Sequence, residues 1–365
     1  MRQSPLILHD AFAFPGGGEK VAQALAELTG GMLWTARFDQ AAFPPDFFAG
    51  RPPMDMRARE KHPDLARWSE TACFWRTFNE FPQSTPPYAI FSGSLAPMAW
   101  RCISGKKILY CHTPPRILYD QREFYLQGQP AARRPAYRAF LWAFERAYAR
   151  AARAMDLIVS NSQNVAHRLG SFLQLDSAIV PPPVRTADFT WLGQEDFYLS
   201  TARVDRLKRV EVIVEAFLNL PDKRLVVVSG GSELNRVRTM AAGAANIEVR
   251  GWVTPEDLRK LTGKCLATIY IPRDEDFGIS PVESMAAGKP VIGVAEGGLL
   301  ETVLENKTGF LIRANPGPQD VAQAVTAMTP ELALGMREAC MARAAKFDEA
   351  AFKARMLALI EGLTG

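Results

Sequence analysis

A chain of 365 residues exceeds the size at which one hydrophobic core usually stops growing, so two domains are expected. Hydrophobic residues make up 48% and charged residues 22%, which excludes a disordered chain, and no apolar run approaches the ~20 residues that a membrane-spanning helix needs. A net charge of only +4, with no recognised module or aromatic-basic platform, argues against nucleic acid as a partner.

The start, MRQSPLILHDAF, lacks a signal-peptide pattern. The five cysteines (Cys73, Cys102, Cys111, Cys265, Cys340) form no C-x-x-C pair, and an odd number without a framework fits a reducing compartment. A cytoplasmic protein is expected.

PLILHDAF reads as a buried strand, and EKVAQALAEL as the helix that follows it. Between them Gly16, Gly17 and Gly18 form a loop whose backbone can approach a ligand closely, with Glu19 opening the helix. The G-x-G-x-x-G spacing of a dinucleotide site is absent, which counts against a nicotinamide dehydrogenase. The stretch from Pro44 to Pro63 is loop-like and rich in Pro, Phe and charge.

YAIFSGS and KILYCHT read as further strands. The second ends at His112, whose side chain would project from a strand end. Arg116, Tyr119 and Asp120 follow on the same loop, and Cys111 reads as a core cysteine. Between Lys106 and Arg153 there are ten Lys or Arg and three acids. Residues 135–153 form a helix with aromatic and Leu positions on one side and arginines on the other. Such a helix can lie on an anionic membrane surface, or it can pack its apolar face into the core and leave a solvated basic face. DLIVSNS and QNVAHRLGSFL add another strand and helix.

Three consecutive prolines, Pro181 to Pro183, forbid a helix and stiffen the chain, so residues 181–194 read as the interdomain linker. A second alternating set then runs through DFYLSTARV, VEVIVEAFLNL, RLVVVSGG, NIEVRGWV, CLATIYIP, PVIGVAE and GFLI. Alternation of this kind predicts open parallel sheets with helices on both faces and ligands at the carboxyl ends of the strands. Arg203 sits at a strand end, with Lys208 five residues on before a helix; two fixed cations there can stabilise charge on a leaving phosphate. Trp252 and Val253 end another strand, and Gly297 and Gly298 mark a further strand-helix corner.

PRDEDFGISPVESMAAGKP, residues 272–290, carries most information. Glu275 lies ahead of a short apolar turn, and Glu283 lies inside a helix starting near Ser280, with Pro281 suited to its first position. A helix start offers free N–H groups and the positive end of the macrodipole to an anion. Carboxylates to grip hydroxyls beside such an end fit a nucleotide sugar.

Glu275, Phe277, Gly278, Pro281 and Glu283, followed by the Ala-Ala-Gly-Lys-Pro-Val run, resemble the donor-site signature of retaining glycosyltransferases of family 4. The resemblance implies the α/β GT-B fold, two Rossmann-like parallel-sheet domains facing across a cleft. Residues 1–184 would be the acceptor-side domain, 185–346 the nucleotide-sugar domain, and 347–365 a terminal helix crossing back onto the first. Domain closure around the donor would exclude water.

The resemblance also implies roles. Glu275 would hold the sugar's hydroxyls near the reacting carbon, Glu283 the ribose, and Arg203 with Lys208 the departing diphosphate. Phe277, Gly278, Ile279 and Ser280 would line the same donor site. Gly16, Gly17 and Gly18 would face the diphosphate or the acceptor, Trp252 and Val253 the nucleobase, and His112 the donor sugar. Arg116, Tyr119 and Asp120 would shape the acceptor side. No metal and no cofactor are expected, because Arg and Lys can replace a cation's charge.

His-Thr-Pro at residues 112–114 resembles a subgroup that includes mannosyltransferases of polysaccharide assembly. The expected reaction moves a hexose, with GDP-mannose favoured over UDP-sugars, to a glycan or lipid-linked acceptor, peripherally at the inner face of the membrane. Same-face attack and double displacement both stay open. A GT-B sugar-nucleotide epimerase and a non-catalytic GT-B subunit binding sugar or partner are the alternatives. The HTPPRILYD segment speaks against the first, and retention of Arg203, Lys208 and Glu275 against the second.

Overall fold

The computed structural model describes residues 4–43, 47, 48, 50–56 and 75–365. Most of the loop-like stretch from Pro44 to Pro63, and Cys73, lie outside them. The chain divides into two compact units, one of Met1–Pro183 with Phe352–Gly365 and one of Val184–Ala351.

In the first unit the elements alternate: β1 (Leu6–Phe12), α1 (Gly17–Thr29), β2 (Met32–Phe38), β3 (Met54–Asp55), β4 (Tyr88–Ser92), β5 (Lys106–Cys111), α2 (Arg122–Gln127), α3 (Arg134–Arg153), β6 (Leu157–Ser160), α4 (Gln163–Leu173) and β7 (Ala178–Ile179). The strands form one parallel sheet in the order β3-β2-β1-β4-β5-β6-β7. Strands β4 and β5 read as near-continuous apolar runs because both faces of the sheet are covered.

Helix α3 turns Tyr137, Leu141, Phe144 and Tyr148 into one of those layers. The apolar side of the basic helix is therefore core, and the side left in solvent carries Arg138, Trp142, Arg146 and Arg150. The opposite layer is completed by the last helix, α13 (Glu349–Thr364) in the numbering continued below. Its Phe352, Met356 and Ile360 pack with Ile7, Val21, Leu25, Ile108 and Tyr110.

The second unit runs β8 (Tyr198–Ser200), α5 (Val210–Leu218), β9 (Leu225–Val228), α6 (Leu234–Met240), β10 (Ile247–Gly251), α7 (Pro255–Lys264), β11 (Ala267–Tyr270), α8 (Ile279–Ala286), β12 (Val291–Val294), α9 (Leu299–Thr302), β13 (Gly309–Ile312), α10 (Pro318–Ala327), α11 (Pro330–Gly335) and α12 (Arg337–Ala344). Its parallel sheet has the order β10-β9-β8-β11-β12-β13.

The segment read as a linker after the prolines is packed instead. Val184 is buried in the second unit's core, Leu192 N donates to Gly263 O, and Gln194 Nε2 donates to Pro330 O. Trp191 lies between the Lys289 ammonium and the Arg337 guanidinium, 5.3 and 4.4 Å from its ring centre. Val184 and Phe189 had a core to join, and the Trp191 ring had two cations to meet.

Candidate active site

In each sheet the chain leaves the first strand toward one edge and later returns to pair on its other side. The reversal lies between β8 and β11 in the second unit and between β1 and β4 in the first. Loops diverge outside the carboxyl ends at such a point and leave a crevice for a ligand.

Residues 201–209 follow β8, and residues 271–278 follow β11. Arg273 N donates to Leu207 O at 2.7 Å and stitches the two loops together. Across this seam Lys208 Nζ lies 2.5 Å from Glu275 Oε2. Tyr270, at the end of β11, completes a triangle: Lys208 Nζ donates to its hydroxyl at 3.2 Å, and the hydroxyl donates to Glu275 Oε2 at 3.2 Å. Burial works against the Lys208 charge, but Tyr270 and Glu275 outweigh it and hold the ammonium above its usual range. Burial, with the Glu275 carboxylate beside it, pushes the Tyr270 phenol up. The cation expected for phosphate and the carboxylate expected for sugar are thus paired with each other. Arg203 does not join this triangle through its Nε, which donates to Asp205 Oδ2 at 2.8 Å from a half-exposed side chain.

A second ion pair holds these loops from beneath. Arg209 adopts φ of 54° at the start of α5, and its guanidinium is buried. Nη1 and Nη2 donate to the two Glu296 oxygens at 3.0 and 3.3 Å, and Nη2 also donates to Asn315 Oδ1 at 3.0 Å. Glu296 in turn accepts from Asp274 N at 2.9 Å and Asn315 N at 2.7 Å. Burial opposes its charge, but Arg209 and these amides win and hold its carboxyl below the usual range.

Gly297 and Gly298 lie directly against the Glu275 loop. Gly298 N donates to Glu275 O at 2.7 Å. A Cβ at Gly297, where φ is +56°, would stand 2.2 Å from Glu275 O, and one at Gly298 2.5 Å from Phe277 Cα. Only glycine permits this approach.

Helix α8 starts at Ile279 after Gly278, whose φ is 90°. Pro281 therefore occupies the third helical position, not the first, which is equally free of an intrahelical N–H requirement. The amides of Ile279 and Ser280 remain as first-turn donors. Glu283 sits half-buried on the next turn, and Phe277 packs edge-on against Phe347, 5.3 Å between ring centres. Trp252 follows β10 with 72% of its surface exposed. Its indole lies so close to Gly230 that a Cβ there would meet Nε1 at 2.2 Å. Val253 packs with the small cluster of Phe197, Leu199, Val226 and Val228.

In the first unit α1 starts at Gly17, so Gly17 and Gly18 belong to its first turn and only Gly16 is the loop residue before it. A Cβ on Gly18 would stand 3.5 Å from His9 Cε1 and 3.8 Å from His112 Nε2. His112 Nε2 lies 2.8 Å from Ser92 Oγ, which lies 3.1 Å from His9 Nδ1. Burial lowers the His112 pKa to about 4; burial and then the neighbouring His112 lower that of His9 to about 3.

The next residue, Asp10, accepts from the amides of Ser94, Leu95 and Ala96 at 2.8, 2.9 and 2.7 Å. Burial nonetheless raises its pKa. On the loop after His112, Arg116 pairs with Asp120 at 2.5 Å. Tyr119 stacks on Phe172, 4.7 Å between centres at 8°, and its hydroxyl is buried. Cys111 is a core residue.

Sequence reading missed Tyr270, Arg209, Glu296, Asn315, His9, Asp10 and Ser92. The legible signals were a polar pair breaking the apolar β1 and a glutamate directly before Gly297. Among the described residues, no group of three or more His, Cys, Asp or Glu is placed to hold a metal ion, and no helix is long and apolar enough to cross a membrane.

Residues 187–346 match the family described as glycosyl transferases group 1. Alpha-1,3/1,6-mannosyltransferase ALG2 of Dictyostelium discoideum is 32% identical over 157 residues, 36% of this chain and 37% of that protein. D-inositol 3-phosphate glycosyltransferase of Mycobacteroides abscessus is 28% identical over 218 residues, 53% of this chain and 48% of that protein. The chain thus spans less than half the length of either relative. Among solved structures, Anabaena Alr3699/HepE in complex with UDP and glucose superposes with a TM-score of 0.75 at 15% identity, covering 98% of this chain and 99% of that one. The fold is the expected one, the two parallel-sheet α/β domains of GT-B structures.

Proposed function

We propose, from the match of residues 187–346 to the family described as glycosyl transferases group 1, that the chain transfers a hexose, mannose, from a nucleotide diphosphate sugar to a glycan or lipid-linked acceptor. Transfer proceeds with retention and without a metal ion. The observation that carries this reading is the Lys208–Tyr270–Glu275 triangle at the switch point of the second sheet.

A diphosphate entering beside the α8 N-terminus would draw Lys208 away from Glu275. The ammonium, with Arg203 swinging from Asp205, would then take up the charge released on the leaving phosphate. The freed Glu275 carboxylate would accept from sugar hydroxyls, Glu283 would take the ribose, and Trp252 with Val253 the base. His112 would hold a sugar hydroxyl, and Arg116 and Asp120 the acceptor side. Mannose is favoured by the His-Thr-Pro segment and by the likeness to a mannosyltransferase. A UDP-sugar is the second reading, because the protein of similar fold is named with UDP and glucose.

The partner surface for a lipid-linked acceptor is the solvent face of α3. Arg138, Trp142, Arg146 and Arg150 line it, with the Arg146 guanidinium 3.7 Å from the Trp142 ring centre. Basic side chains around an amphipathic ring suit an anionic interface.

The test is a thermal-shift panel of GDP, UDP, GDP-mannose and UDP-glucose. A ligand at ~100 times its dissociation constant stabilises by about 2.7 kcal/mol. A GDP-specific shift supports the mannose reading and a UDP-specific shift the second one. No shift with any of the four refutes both.

A further inference from the structure

The register of the first sheet places His9 on β1 directly beside Ser92 on β4. It also sets Ser92 beside Tyr110 on β5, two residues before His112. One hydroxyl therefore touches two imidazoles, His9 Nδ1 at 3.1 Å and His112 Nε2 at 2.8 Å. A serine hydroxyl has a single proton to give and lone pairs to receive with. When it donates to one ring it must accept N–H from the other, so of the two facing nitrogens one is protonated and one is bare. Two imidazoliums would leave the hydroxyl proton without an acceptor and set like charges side by side, 6.2 Å between ring centres. Among the described residues, no carboxylate acts on this pair: Phe12 and Tyr110 pack against the rings, Gly18 closes the α1 side, and Asp10 is engaged by three amides.

Resting on the reading of His112 as a sugar-binding group, we propose that His9 and Ser92 are positioning residues that hold His112 as a neutral imidazole in one ring orientation, leaving Nδ1 as the nitrogen offered to a ligand hydroxyl. Asn161 Nδ2 fixes the backbone from the other side by donating to His112 O at 2.9 Å. Nδ1 of the neutral ring carries N–H when Ser92 donates to Nε2 and a lone pair when Ser92 accepts from it, and passing from one to the other requires both rings to change tautomer, not a turn of the hydroxyl alone. A sugar hydroxyl, which both donates and accepts, is the ligand class that matches such a group. Low ring pKa values are consistent with this geometry.

The experiment is nitrogen NMR of the histidine rings, feasible in a chain with four histidines, on wild type and on Ser92→Ala, His9→Ala and His9→Asn. In wild type the His112 ring is expected neutral at pH 6, with one tautomer dominant. Ser92→Ala is expected to mix the tautomers and lower kcat/KM tenfold or more, while the His112 titration stays low because its cause, burial, remains. His9→Asn, which keeps a neutral hydrogen-bonding group where Nδ1 was, should return kcat/KM to within threefold of wild type, while His9→Ala should not. If Ser92→Ala does not fold, the two His9 variants decide by the same readouts. An unchanged His112 tautomer in folded variants overturns the proposal. If wild type neither turns over nor binds a nucleotide sugar, the reading of the previous subsection fails, and the ring spectra alone judge the relay.

Discussion

Glu296→Ala removes a carboxylate that accepts four hydrogen bonds, two from Arg209 and one each from the amides of Asp274 and Asn315. The side chains of Arg209 and Glu296 are 8% and 12% exposed, so the substitution leaves a buried guanidinium with Asn315 Oδ1 and Ile271 O as its partners among the described residues. Breaking one side of a buried pair costs ~3–5 kcal/mol. For a unit of this size each kcal/mol moves Tm by about 2–4 °C, so calorimetry should show one transition falling by roughly 6–20 °C.

Replacing both charges, Arg209→Met with Glu296→Leu, should recover at least about 2 kcal/mol of the loss, because no unpaired charge remains. The carboxyl is held below its ordinary value of 4.5 in the folded chain. Its contribution is therefore complete above that value and lost as pH falls through the folded one, and the gap between wild type and Glu296→Ala should close in acid. A single-variant loss under about 1 kcal/mol, or a double variant weaker than the single, would refute this account of what holds the Glu275 loop.

Lys208→Ala should lower kcat by about 10²–10³ with the assigned donor, while circular dichroism shows the fold retained; unchanged turnover removes Lys208 from the leaving-group role. Gly297→Ala forces a Cβ to within 2.2 Å of Glu275 O at a φ of +56°. It should destabilise by roughly 1–3 kcal/mol and reduce kcat/KM, read by urea unfolding and steady-state kinetics. His9 and His112 titrate near 3 and 4 in the folded chain and near 6.5 unfolded. The unfolded state therefore binds more protons below 6.5, and stability should fall with pH by about 1 kcal/mol per histidine per unit down to about 4. Urea midpoints for His9→Asn should show a shallower decline than wild type between pH 6.5 and 4.5.

Both sheets were legible because their strands are short apolar runs such as LVVV and VIGV, spaced by helix-sized polar segments. Lys208 and Glu275 were legible as chemistry, since strand-end cations and a carboxylate by a helix start mark themselves. Their pairing was not, because it depends on β8 lying beside β11. Arg209 stands among other basic residues of the same segment, Arg206 and Lys208, with no local pattern to set it apart; what does so is its left-handed backbone and burial. The His9–Ser92–His112 contact depends on strand register across more than 80 residues, which no local pattern carries. The basic helix was ambiguous for a different reason: a membrane interface and a core select the same apolar side chains, and only tertiary packing decides between them.

Phe352, Met356 and Ile360 lie 169 or more positions beyond Pro183, yet they close one layer of the unit built from residues 1–183. On a ribosome adding ~5–20 residues per second, roughly 8–34 s pass between Pro183 and Phe352 with that layer open, and the whole second unit, Val184–Ala351, is made in that interval. The later-made half of the chain is thus positioned to finish first, and the earlier half waits with Ile7, Val21 and Tyr110 uncovered. Nascent chains truncated near residue 351 should accordingly recruit hydrophobe-binding chaperones to their leading end.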